Sequence, residues 1–220
     1  MGLKTALIIA HLIGLAIGVG GATLLDLIIM RFMVRGRISR EQASIVQLAS
    51  TLVTAGLVML WLSGLGFLVY YYAFTPESLA NPKVHAKIAI VAALTLNGVL
   101  IHHYILPVIR KNVGRQLFDG VSVARKRGML ALGAVSATSW YVPLALGALR
   151  ELNFAVPATQ ILAAYVCLLL TAILFAQIMG AMLDRQGHRQ AGHRRPKHPR
   201  EAPAYSYASA EHRTPARIRR

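Results

Sequence analysis

Long apolar runs, each closed by basic or turn-forming residues, divide most of the chain into similar segments. A bilayer core about 30 Å thick is crossed by roughly 20 apolar residues in an α-helix. The runs that meet this length are 5–30, 46–72, 84–109, 128–149 and 156–183. The pattern therefore predicts an all-α integral membrane protein, a bundle of five transmembrane helices in a lipid bilayer.

Residues 184–220 have a different composition, in which Arg, His, Pro and Ser predominate and apolar residues are scarce. Such a segment buries too little apolar surface to offset the chain entropy lost on folding. We expect a disordered basic cytoplasmic tail that is attracted to anionic lipids. Nucleic acid is not an expected partner, because no aromatic interleaving or folded binding module accompanies the charge.

The basic residues between the predicted spans indicate an orientation. Connections 31–44 and 110–127 hold four and six Lys or Arg residues, whereas 73–83 and 150–155 hold one each. Short loops rich in Lys and Arg mark the cytoplasmic side. We expect a bacterial-type inner (plasma) membrane, with the N-terminus outside and the C-terminus in the cytoplasm. A secretory signal is the alternative for the first run, but its continuation to Met30 favours a mature helix.

Composition supports the membrane class, and the sequence contains few residues that could catalyse a reaction. Hydrophobic residues make up 55% of the chain and charged residues 15%, against about 25% charged residues in soluble domains. The sequence contains no phosphate loop, nucleophile elbow or HExxH motif. Asp26 is the only acid inside a predicted span, so we do not expect catalytic residues here.

One face of the first helix carries both polar and small residues. At 100° per residue, His11, Gly14, Gly18 and Asp26 fall within an arc of about 120°. Glycines four apart let another helix approach closely, and ionisable side chains avoid lipid. This face is expected to point into the bundle. The predicted helix-packing residues are Gly14, Gly18, Gly64, Asn97 and Gly98.

The histidines within the spans suggest two pairs at different depths. His11 and His85 are expected near the outer surface, whereas Asp26 and His102 belong to the inner half. Two histidines on different helices are the usual axial ligands of a b-type haem, and Gly14 and Gly18 would leave room for its flat ring.

Other interpretations of the two pairs stay open. His11 and His85 are also candidate copper ligands, or ordinary hydrogen-bonded interfacial histidines. His102 is a further candidate ligand. Asp26 and His102 would either relay protons or neutralise one another as a structural polar pair.

Several short motifs resemble the CopD-type membrane proteins, a group linked to copper resistance and similar in arrangement to membrane b-type cytochromes. The matching residues are His11, Gly20-Gly21, Ser63-Gly64, Lys87, Asn97-Gly98 and Leu106-Pro107. The resemblance covers about half the chain. It implies a helical bundle that handles haem b or copper at its outer side, with His11 as the best-matched ligand.

Three functions are consistent with this sequence. The first is redox chemistry, electron transfer or metal handling by a CopD-like bundle that holds haem b or copper. The second is a non-catalytic subunit or assembly factor that docks a membrane protein partner or a second copy of itself. The third is a proton-coupled small-solute transporter, in which Asp26 and His102 face one cavity.

Overall fold

A computed structural model describes residues 2–35 and 37–193. Within these ranges the chain is all-α and contains no β-strand. Two short 3₁₀ segments, Pro76–Ala80 and Arg150–Leu152, connect longer helices. The helices are α1 (Leu3–Arg35), α2 (Arg40–Phe74), α3 (Pro82–Tyr104), α4 (Leu106–Lys111), α5 (Val123–Ala148) and α6 (Ala158–His193).

Several helices begin where a side chain accepts a hydrogen bond from a free backbone amide of the first turn. The Ser39 hydroxyl accepts a hydrogen bond from Gln42 N while the Gln42 side chain accepts one from Ser39 N, a reciprocal capping box. Ser122 caps α5, and Asn81 caps α3 ahead of Pro82. Pro107 lies in the first turn of α4, where its missing amide costs no hydrogen bond.

Five helical segments in the described part of the chain are long and apolar enough to cross a membrane. They are Leu3–Met33, Arg40–Phe74, Pro82–Lys111, Val123–Ala148 and Ala158–Leu183. The predicted all-α bundle of five membrane-crossing helices is therefore confirmed. Each span overlaps the corresponding apolar run, and several helices extend beyond it because capped polar ends continue the helix.

The start of the predicted tail differs from the expectation. α6 continues to His193, so residues 184–193 are helical rather than disordered. An established helix extends at little cost, because each further residue adds one backbone hydrogen bond. Residues 194–220, the rest of the predicted tail, lie outside the described residues.

The helices pack as a pair and a trio. α1 packs against α2, whereas α3, α5 and α6 pack against one another, and α1 also contacts α5. Two hydrogen bonds between side chains connect α2 to α3, Trp61 to Thr95 and Ser50 to His102. The interior between α1, α2, α3 and α5 is therefore the region where the pair meets the trio.

The connections alternate between the two ends of the bundle. At one end Ile38, fully buried, donates its amide to Arg115 O and accepts from Gly114 N, which joins the two arginine-rich connections. At the other end Asn81 hydrogen-bonds Asn153 and the amide of Phe154. We call the first end the basic end and the second the opposite end.

Candidate functional site

Two ionisable groups lie near the opposite end of the interior, and the first is the His11 imidazole on α1. Its Nδ1 is 2.8 Å from the Ser63 hydroxyl, which donates its own proton to Met59 O at 2.7 Å. A hydroxyl has one proton, so the hydrogen-bond network assigns the Nδ1 proton to His11. The lone pair of Nε2 is then left available. The Phe67 ring contacts the imidazole edge-on at 5.6 Å between centroids.

Lys87 on α3 is the second group, and its charge acts on the His11 imidazole. The side chain is half-buried and passes beside Gly147 of α5, where an added Cβ would lie 3.9 Å from Nζ. Within the described ranges, Lys87 forms no hydrogen bond or ion pair. No carboxylate lies opposite this ammonium among the side chains that the structure describes, those of residues 2–33 and 37–183.

The predicted outer histidine pair does not form. His85 is exposed and lies two residues before Lys87, about 200° around the same helix. Because Lys87 faces the His11 side of α3, His85 points away from it. Among the described residues, no group of three or more His, Cys, Asp and Glu side chains could hold a metal ion.

The glycines do not provide the expected space for a flat ring. A Cβ on Gly14 would lie 2.9 Å from Met59 Cβ, and one on Gly18 would lie 2.3 Å from the Trp140 ring. The space beside both glycines is therefore filled by residues of the neighbouring helices, as their spacing predicts. Gly64 and Gly98 differ, because a Cβ at either position would meet nothing within 4 Å. The residues at the outer side therefore do not fit a haem held by His11 and His85.

The polar groups toward the basic end include His102 on α3. Its Nδ1 is 3.0 Å from Gly98 O and its Nε2 is 3.3 Å from the Ser50 hydroxyl. A carbonyl only accepts, so Nδ1 carries the proton and Nε2 accepts from Ser50. Both nitrogens are engaged in this neutral form. The predicted pair of Asp26 and His102 is replaced by these partners.

Asp26 on α1 is half-buried and makes no hydrogen bond or ion pair with the other residues that the structure describes. Asn97 on α3 is also incompletely satisfied. Its Nδ2 donates to Leu132 O at 3.2 Å, whereas Oδ1 is buried without a partner. Buried polar atoms without partners are few in folded proteins and call for an explanation.

An apolar layer separates these two groups of polar side chains. It consists of Ala22, Leu60, Leu94 and Trp140, which are at most 7% exposed and form one cluster. On each of three helices the layer residue lies between the polar ones in chain order. The triplets are His11, Ala22 and Asp26 on α1, Ser63, Leu60 and Ser50 on α2, and Lys87, Leu94 and His102 on α3.

Sequence reasoning identified part of this arrangement. It placed His11 and Asp26 on an inward face, but it paired His11 with His85 rather than with Ser63 and assigned no role at the site to Lys87. It also expected His102 inside the bundle, whereas that residue is exposed. A lone ammonium in an apolar run was the available signal for Lys87, because such residues are rare in spans. The Ser63 and Ser50 partners had no comparable signal, since serines are ordinary in membrane helices.

No family model, no curated protein and no solved structure matches this chain. The resemblance to CopD-type proteins therefore stays a prediction from the quoted residues.

Proposed function

We propose that the protein is a proton-coupled small-solute transporter of a plasma-type membrane, with the basic end in the cytoplasm. The observation that carries this proposal is the pair of unpartnered ionisable groups. Lys87 and Asp26 lie on opposite sides of the apolar layer, and neither has a hydrogen-bond or ion-pair partner among the described residues.

Unpaired ionisable groups in a span support a transport role because they are costly. A charged side chain at the centre of a bilayer costs about 2.5–3.5 kcal/mol on the scale from insertion experiments. Structural ion pairs reduce this cost, and the described residues provide none for Asp26 or Lys87. Such groups commonly mark substrate or proton pathways. The layer of Leu60, Leu94 and Trp140 would supply the barrier that stops leakage.

The charges favour an anionic solute. Lys87 provides an ammonium and His11 a nearby imidazole, while no acid is opposed to Lys87 in the described ranges. A carboxylate or phosphate would complete the hydrogen bonding of the ammonium. Asp26, on the other side of the layer, would carry the coupled proton. Its carboxylate is the only acidic group within the five apolar runs of the sequence.

Haem b or copper, which the CopD resemblance implies, has less support. His11 is the one predicted outer ligand that faces the interior, because His85 is exposed and points away from it. A Soret band in the reduced-minus-oxidised spectrum of the purified protein, or bound copper, would nevertheless favour redox or metal handling over transport. Docking of a membrane partner would appear as co-purification in mild detergent.

Proton entry into liposomes tests the transport proposal. The full-length protein is reconstituted in phosphatidylethanolamine and phosphatidylglycerol vesicles that contain a pH-sensitive dye. Small carboxylates, inorganic phosphate and neutral sugars are added in turn under an imposed pH gradient. We expect at least one anion to accelerate proton entry, and Asp26→Asn to reduce this response to that of empty liposomes.

Asp119→Asn is the matched control, because Asp119 is an exposed acid in the connection between α4 and α5. It should keep the response of the unaltered protein. The proposal would be overturned by a panel in which no solute changes proton entry, or by Asp26→Asn that responds normally.

A further inference from the structure

A groove of about 490 Å³ lies between α3 and α5, near the basic end and apart from the polar interior. Its lining surface is almost entirely apolar, and two of the lining residues, Tyr104 and Arg125, also carry polar groups. The lining residues are Leu100, Tyr104, Arg125, Gly128, Met129, Ala131, Leu132 and Val135. The groove exists because Gly128 and Ala131 have small side chains or none; longer side chains at these positions would fill it.

The length of the groove matches one leaflet of a bilayer. From Arg125 to Val135 the α5 backbone rises about 15 Å at 1.5 Å per residue. This is half of a hydrocarbon core about 30 Å thick. The apolar part therefore extends from the surface at the basic end toward the middle of the membrane.

The surface end of the groove is positively charged. The Arg125 side chain is exposed and forms no hydrogen bond with another described residue, and Tyr104, which also lines the groove, is exposed as well. Residues 110–127 hold six bases against the single acid Asp119. A guanidinium can bind a phosphate through two parallel hydrogen bonds.

We infer that this groove binds one anionic phospholipid from the leaflet at the basic end. The phosphate contacts Arg125 and Tyr104, and an acyl chain lies along Gly128, Ala131 and Val135. Basic sites between transmembrane helices commonly recognise such headgroups. A helix about 10 Å wide is a poorer fit to a groove whose small residues sit on one side only. The inference does not depend on the transport proposal.

Lipid titration followed by native mass spectrometry tests the site. The full-length protein in mild detergent is titrated with phosphatidylglycerol and, separately, with phosphatidylcholine. We expect one phosphatidylglycerol molecule to bind more tightly than the others and more tightly than phosphatidylcholine. Arg125→Gln should weaken that binding about fivefold, the effect of one basic residue near a membrane surface.

Gly128→Leu should also weaken it, because the new side chain would occupy the path of the acyl chain. Both variants have matched controls. Arg127→Gln removes an equal charge outside the groove, and Gly133→Leu adds an equal side chain at another open position of α5. Neither control should change binding of the tightest lipid.

Three results would overturn the inference. They are equal affinity for the two lipids, an equal loss in Arg127→Gln and Arg125→Gln, and unchanged binding in Gly128→Leu. Thermal unfolding in lipid-free detergent shows that each variant is folded. Proton entry measured with the same variants separates a failure of this site from a failure of the transport proposal.

Discussion

Lys83 and Lys87 lie one helical turn apart on α3, yet their surroundings differ. Lys83 is 5% exposed, and its ammonium donates to Leu149 O at 2.6 Å and to Asn153 Oδ1 at 2.9 Å. It thereby satisfies a carbonyl at the end of α5 that no helical amide reaches. Lys87 has no such acceptor in the part of the chain that the structure describes. One lysine therefore has a structural role, and the other is available to a ligand.

This contrast predicts opposite effects on stability. Lys83→Met leaves the two acceptors without their charged donor and should cost about 1–3 kcal/mol. Lys87→Met removes a half-buried charge without breaking a hydrogen bond, so it should be neutral or stabilising. The thermal unfolding midpoint in mild detergent measures both. An equal decrease in the two variants would contradict the assigned roles.

His11 also shows what single residues in a sequence reveal. Helical periodicity placed it on an inward face beside Gly14 and Gly18, and that face does contact α2 and α5. Its partner was not predictable, because it depends on how far each helix is rotated about its axis. Successive residues of a helix point 100° apart, so a small rotation of the helix changes which residue faces a neighbour. On α3 it is Lys87 that faces the His11 side, and His85, 200° away, faces outward.

Contact between helices α1 and α2 depends on backbone rather than on large side chains. A Cβ on Gly56 would lie 2.6 Å from Gly18 N and 2.8 Å from Gly14 O. Close approach of this kind is the usual role of small residues between membrane helices. The GxxxG spacing on α1 was visible in the sequence, but Gly56 was not identified as its counterpart. Neighbouring Thr and Ala residues made Gly56 one of several small residues on α2.

Gly56→Ala should force α1 and α2 apart. Overpacking of this kind costs about 1–3 kcal/mol, which lowers the unfolding midpoint by roughly 2–12 °C in a chain of this size. Gly64→Ala is the control on the same helix, where the added methyl group meets nothing within 4 Å. It should leave the midpoint unchanged or raise it, since alanine favours helix. A decrease in Gly64→Ala as large as that in Gly56→Ala would refute this explanation.

The number and order of spans were predictable because each span requires one continuous apolar run. The ends were less predictable, since hydropathy measures contact with lipid and says little about where backbone hydrogen bonding stops. α2 begins at Arg40, six residues before its apolar run, because Ser39 and Gln42 cap it. α6 likewise passes the last apolar residue and ends at His193.

At the scale of the whole molecule, the alternation of connections constrains topology. Ile38 joins the first connection to Gly114 and Arg115 of the third, so both basic connections lie at one end. The charge bias in the sequence anticipated this grouping. The assignment of this end to the cytoplasm is a prediction from the Lys and Arg distribution.

Reporter fusions test that assignment. A fluorescent protein that matures only in the cytoplasm should fluoresce when inserted after Gly120, between α4 and α5. An insertion after Glu77, in the 3₁₀ segment between α2 and α3, should be dark while the protein is still produced. The reverse pattern would show that the basic end faces outward.

The interior as a whole consists of two polar regions with an apolar layer between them, and cysteine accessibility measures this directly. Lys87→Cys, Asp26→Cys and Leu94→Cys are each introduced into a Cys167→Ala background, which removes the single native thiol. A membrane-impermeant thiol reagent is applied from either side of sealed vesicles. We expect Lys87→Cys to react only from the side of the opposite end, Asp26→Cys only from the side of the basic end, and Leu94→Cys from neither. Reaction of Lys87→Cys and Asp26→Cys from the same side, or rapid reaction of Leu94→Cys, would contradict the account.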